Sequence, residues 1–126
     1  MKKLKLLVVS ILFTVVLMAC GGSPDFADMF EDIADHAWIE IASDGSFIRL
    51  DTNPRNVDGG DISILAPALA DLDLILEELD FTAATRERMT ATRALDGRQE
   101  AENDSFRASW TFHPNNGLVV IFEINE

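Results

Sequence analysis

Apolar and polar positions change rhythm several times along this chain, and each rhythm predicts an element. Near the C-terminus, Phe106, Ala108, Trp110 and Phe112 alternate with Arg107, Ser109 and Thr111, and Leu118, Val120, Phe122 and Ile124 then alternate again. A period of two gives each strand one apolar face, and the turn formers from His113 to Gly117 join the two as a hairpin. Ile39 and Ile41, facing Ile48 and Leu50 across Asp44-Gly45, give a second hairpin. Between them, Ile62, Leu65, Leu69, Leu72, Leu76 and Leu79 recur at steps of three and four, the spacing of one helix face. Asp61 or Ser63 suits its cap, and Pro67 is tolerable only in its first turn. Thr82 caps a further helix predicted to run to about Leu95 and to end at Asp96-Gly97, with Arg86, Arg88 and Arg93 turned to the acids of its predecessor. Ahead of the first hairpin, Phe26, Met29, Phe30, Ile33 and Ala37 predict a short amphipathic helix. Ser23 or Asp25 caps it, Pro24 occupies its first turn and His36 lies at its end, where a cation suits the dipole. The order α-ββ-αα-ββ makes an α+β fold, an antiparallel four-stranded sheet packed with helices.

The longest apolar run, Leu6 to Ala19, belongs to neither rhythm. It is broken only by Ser10 and Thr14 and follows Lys2, Lys3 and Lys5. As a helix it reaches about 21 Å against a hydrocarbon core of about 30 Å, too short to span comfortably. A brief positive region followed by a short apolar one is the layout of an export signal. Ordinary signal peptidase prefers small residues one and three places before its cut, and Leu17 fits that poorly. Leu17-Met18-Ala19-Cys20 instead resembles the lipobox of bacterial lipoproteins, with Met18 its one departure from the usual pattern.

That resemblance implies cleavage before Cys20, a diacylglyceryl thioether on its sulfur and often a third acyl chain, such as palmitate, on the new N-terminus. A thiolate is nucleophilic enough to take a lipid under mild conditions. At about 0.8 kcal/mol per buried CH₂, two or three chains hold almost irreversibly. The expected organisation is a lipoprotein signal peptide over 1–19, a lipidated cysteine with a short linker over 20–24, and a single α+β domain over 25–126. Gly21 stands where an inner-membrane retention signal would place Asp, so the expected location is the cell membrane or the outer membrane, on its extracytoplasmic side. Free secretion and an uncleaved anchor are the alternatives.

Charge narrows the partners. All three lysines precede Cys20, so the expected mature part sets seven arginines against 22 acidic residues, a formal charge of −15. Such a field repels nucleic acid and anionic head groups, which leaves the membrane contact to the lipid on Cys20. Cys20 is the sole cysteine, so no disulfide staples the fold.

Candidate chemistry is sparse. The polar loop from Asp51 to Asp61 offers Asp51, Asn53, Asn56, Asp58 and Asp61 as oxygen ligands for a cation, but no register fits an EF-hand, since Arg55 or Pro67 falls on a ligand position. Asx and Gly-Gly turns explain the same composition. Asp73, Glu77 and Asp80 form a stripe that is more often solvated than ligating. His36 and His113 are the available neutral-pH bases, and neither stands in a motif that supplies a nucleophile or metal partners. No catalytic residue and no cofactor emerge.

The strings Ser43 to Ser46, Asp51 to Pro54, Ala94 to Gln99 and Trp110 to Glu123 are similar to those of small uncharacterised bacterial lipoproteins, and the order of elements is loosely similar to β-lactamase-inhibitor-like domains of envelope lipoproteins, which act by protein contact. The expected function is a lipid-anchored, non-enzymatic envelope protein that binds a macromolecular partner. A cation- or small-ligand-binding lipoprotein and a hydrolase with a spatially assembled site are the alternatives.

Overall fold

Asp25 caps the first helix in the computed structural model, which describes residues 24–125. Its carboxylate accepts from the Ala27 amide at 2.8 Å and caps helix α1 (Phe26–Met29); Pro24 precedes the cap instead of entering the helix. A 3₁₀ turn over Glu31–Ile33 follows. Phe26, Phe30 and Ile33 are buried, whereas Met29 and Ala37 face outward. The helix is shorter than its periodicity predicts, and charge gives the reason. Asp28, Glu31, Asp32 and Asp35 have no basic neighbour in the segment, and further turns would gather carboxylates at the negative end of the dipole.

Strands β1 (Ile39–Ile41) and β2 (Phe47–Asp51) form the first hairpin, pairing Ile39 with Leu50 and Ile41 with Ile48. At its turn Gly45 has φ +73°, and its carbonyl accepts from the Phe26 amide at 3.3 Å. A Cβ there would run into the Asp25 carboxylate, so only glycine lets α1 dock on the turn.

Helix α2 (Ile62–Glu78) is capped by Asp61, which accepts from the Ser63 amide. Pro67 is its sixth residue, in the second turn. It is tolerated because Ser63, whose carbonyl loses its partner, is exposed to water. Helix α3 (Ala83–Ala91) starts at Thr82 and stops at Thr92, short of Leu95. The Thr92 hydroxyl donates to the Arg88 carbonyl at 2.6 Å and accepts from the Trp110 indole N–H at 2.8 Å, and this cap ends the helix. Of the three arginines expected to face α2, only Arg86 does so, on Asp73; Arg88 lies 5.3 Å over the Trp110 ring and Arg93 pairs with Asp96.

Strands β3 (Gln99–Glu102), β4 (Phe106–His113) and β5 (Gly117–Ile124) complete one antiparallel sheet, ordered β1-β2-β5-β4-β3. The fold is α+β as expected, with five strands instead of four. β3 escapes the hydrophobic pattern because Gln-Glu-Ala-Glu has a single apolar residue, and it is held by its ladder to β4. Across the sheet, Ile39, Leu50, Val120 and Trp110 form one row and Ile41, Ile48, Phe122 and Ala108 the next. These rows meet Phe26, Phe30, Leu72, Ile75, Leu79 and Met89 in one core, each large side chain contributing about 1.5–3 kcal/mol by leaving water. The opposite face carries the row Glu40, Arg49, Ile121, Ser109 and Glu100. No helix among the described residues is long and apolar enough to cross a membrane.

Candidate functional site

Cys20 and the apolar run before it lie outside the described residues. The five oxygen-bearing residues of the polar loop lie inside them, and the structure uses most of their oxygens to hold the loop itself. Asp51 accepts from the Asn53 amide at 2.8 Å and from the Arg49 guanidinium at 3.2 Å. Asn53, only 1% exposed, donates to the carbonyls of Val57 at 2.9 Å and Asn115 at 2.7 Å and accepts from the Val57 amide, which ties the loop to the β4–β5 turn. Asp61 takes the Ser63 hydroxyl and the Arg55 guanidinium, and these hold its carboxyl below the ordinary 3.8. Asn56, at φ +52°, and Asp58 are exposed on the outer bend. The structure therefore brings Asp51 and the Asn56 amide to Asn53, sets Asp61 against Arg55, and leaves the side chains of Asn56 and Asp58 exposed. Among the described residues no group of three or more His, Cys, Asp or Glu is placed to hold a metal.

The histidines do not share a site. His113 ends β4 opposite Gly117, and its Nδ1 accepts from the Asn115 amide at 3.1 Å. His36 is not at a helix end; its Nδ1 lies 2.6 Å from Asp71 on α2, and the same carboxylate oxygen accepts from the Trp38 indole N–H at 2.6 Å. His36 and Trp38 also pack ring against ring, with centroids 4.9 Å apart. The Asp71 side chain is 13% exposed and that of His36 40%. This cluster pins the α1–β1 connection to α2. Sequence reading missed Asp71, although a signal existed: it follows Ala68 by three and precedes Ile75 by four, which puts a carboxylate on the buried helix face. Among the described residues no Ser, Thr or Cys hydrogen-bonds to His36.

The apolar stripe of α2 behaves differently at its two ends. Leu72, Ile75, Leu76 and Leu79 are buried, but Leu69 is half-buried, Leu65 is 43% exposed and Ile62 86%. The apolar helix face that the spacing predicts is therefore covered along only part of its length. The sheet beneath ends at Thr52 and Leu118, and from there the polar loop and the β4–β5 turn spread outward, leaving the first turns of α2 nothing to cover them. Between these parts lies a groove of about 260 Å³, lined by Ile62, Leu65, Leu69, Met89, Phe112 and Leu118, with Thr52, Asn53, Asp61 and Thr90 as polar members. A wider hollow of about 640 Å³ on the outer sheet face sets Phe47 and Ile121 among Glu40, Arg49 and Glu123. Arg49 is spent there on Glu40 and Asp51, at 3.7 and 3.2 Å.

No family model, curated protein or solved structure matches this chain.

Proposed function

We propose that this protein is a lipid-anchored envelope protein, held through Cys20 at the cell membrane or outer membrane, that binds a macromolecular partner through the groove at the start of α2 and performs no catalysis. The observation that carries the reading is the exposure of Ile62 and Leu65 at the mouth of an apolar groove. Contiguous exposed apolar side chains cost solubility and persist where something covers them. The lipobox resemblance supplies the anchor, and the mature charge of −15 argues against an electrostatic one.

Two experiments test this. Cys20→Ser removes the only thiol, so labelled fatty acid should enter the wild-type chain and not the variant; label in both, or in neither, rejects the anchor. A photo-crosslinking residue placed at Leu65 in the full chain, in its own membrane, should yield a discrete adduct that is missing when the same residue replaces Arg107 on the outer sheet face. Adducts that do not distinguish the two positions reject the groove.

The His36–Asp71 contact favours a second reading, a hydrolase whose site assembles in space. It requires activity to vanish on His36→Gln with the fold intact.

A further inference from the structure

We infer that the groove takes an apolar side chain carried between basic residues on an extracytoplasmic polypeptide, and that the tether holds the groove at the end of the sheet farthest from the bilayer. This rests on the groove reading and on the anchor at Cys20.

Placement comes first. The chain enters the domain at Pro24 and Asp25, packed on the β1–β2 turn at Gly45. From that turn β2 runs to Asp51, and the groove opens beyond it, at Thr52, Leu118 and Phe112. The seven steps from Gly45 to Thr52 cover about 23 Å at the rise of a strand. The linker from Cys20 to Pro24 reaches about 14 Å at full extension. A domain of this charge is repelled from anionic head groups and does not lie down on them. The groove therefore faces away from the membrane, and acyl chains are poor occupants.

Size and charge then select among soluble occupants. The cavity of about 260 Å³ falls below the roughly 300–1,000 Å³ typical of small-molecule pockets and suits a single anchoring side chain. The arginines are already committed. Arg49, Arg55, Arg86, Arg93 and Arg107 each pair with a carboxylate, Arg88 covers Trp110 and donates to the Glu100 carbonyl, and Arg98 meets the Ser109 hydroxyl at 3.4 Å. At the groove, Asp58 is exposed beside Gly59, and Glu87 is exposed one turn before Thr90. The one cation of the groove loop, Arg55, is held by Asp61. The exposed carboxylates of Asp58, next to the lining Gly59, and of Glu87, a turn from the lining Thr90, complement Lys or Arg on either side of an apolar residue seated on the floor. A second copy of this chain brings like charge to the same carboxylates and is disfavoured.

The test uses the acylated full-length protein in neutral phosphatidylcholine nanodiscs and fluorescent pentapeptides. One peptide carries Phe flanked by arginines, a second replaces Phe with Ala, and a third replaces the arginines with glutamates. The arginine–Phe peptide should bind saturably. Removing either the Phe or, on the protein, the Leu65 anchor through Leu65→Asp should weaken it about tenfold or more. Asp58→Asn, or raising salt from about 0.05 to 0.5 M, should weaken it severalfold. Equal binding of the glutamate peptide, binding that ignores Leu65→Asp, or no binding of any peptide overturns the inference. So does self-association that depends on Leu65, or a signal that appears only with added anionic vesicles. The groove reading is judged separately, by the crosslink from position 65 in cells, and can survive failure of the basic-peptide assignment.

Discussion

Helix α2 contains two regions written in the same code and put to different uses. Its C-terminal half sets Leu72, Ile75, Leu76 and Leu79 against the sheet, whereas its N-terminal half sets Ile62 and Leu65 against water beside a groove. The leucine spacing is continuous through both. Periodicity therefore fixes that a helix forms and which residues share a face, but cover depends on what lies opposite. The C-terminal half shares its core with Val120, Phe122 and Trp110; beside the N-terminal half only the last strand residues, Phe112 and Leu118, remain before the β4–β5 turn.

The contrast breaks most sharply by truncation. Trp110→Ala should cost about 3–5 kcal/mol, since it deletes a ring 1% exposed and strips the Thr92 cap of its donor. Leu72→Ala should cost about 2–5 kcal/mol, while Leu65→Ala, the same change two turns earlier on the same helix, should stay within about 0.5 kcal/mol. Chemical denaturation of the three variants reads this directly. Equal losses at 65 and 72 would mean that the groove is closed and structural.

Asp71→Ala comes next. It removes the acceptor of both Trp38 and His36, and leaving a part-buried donor unpaired costs about 1–3 kcal/mol. The loss should be visible in the melting temperature with the groove crosslink unchanged, because the cluster fastens α1–β1 and not the mouth at Ile62.

Acid should act more gently, and more on the capped ends than on the core. Asp61, Asp96 and Asp44 are each held below the ordinary 3.8, chiefly by the Ser63 hydroxyl, the Arg93 amide and the Ser46 hydroxyl respectively. A carboxyl depressed in the folded state favours folding above its unfolded value, and that contribution is lost as pH falls through the folded one. The melting temperature should be nearly flat from about pH 7 to pH 5 and should decline below about pH 4, less steeply in Asp61→Asn. A decline already complete at pH 5 would contradict this assignment.

The smallest effect is expected from His36→Gln combined with His113→Gln. Function and crosslink should persist, with stability lower by no more than about 1 kcal/mol from the exposed half of the His36 contact. Lost function in a folded double variant would favour the hydrolase.

Both hairpins could be read from the sequence because an alternating strand carries its own record of which face is buried, as Phe106 to Phe112 shows. β3 could not, because an edge strand written Gln-Glu-Ala-Glu is held by backbone bonds that leave no hydrophobic trace. The early end of α3 at Thr92 depends on Trp110, 18 residues away, and the His36–Asp71 contact spans 35. The loop ligands Asp51, Asn53 and Asp61 were visible as oxygens, but Arg55 and the Asn115 carbonyl, which occupy their neighbourhood, emerge only from the fold. The groove was the least legible part, since its leucines look like those of a core.

Hydrogen exchange along α2 tests the central claim most directly. The full-length protein is compared in its native membrane and purified in neutral lipid nanodiscs. The N-terminal half, 62–69, together with 112–118 across the groove, should gain protection in the native membrane, while 72–79 stays equally protected in both. Identical exchange at 62–69 in the two settings, or protection gained only on the outer sheet face around Ile121, would contradict a partner-binding groove.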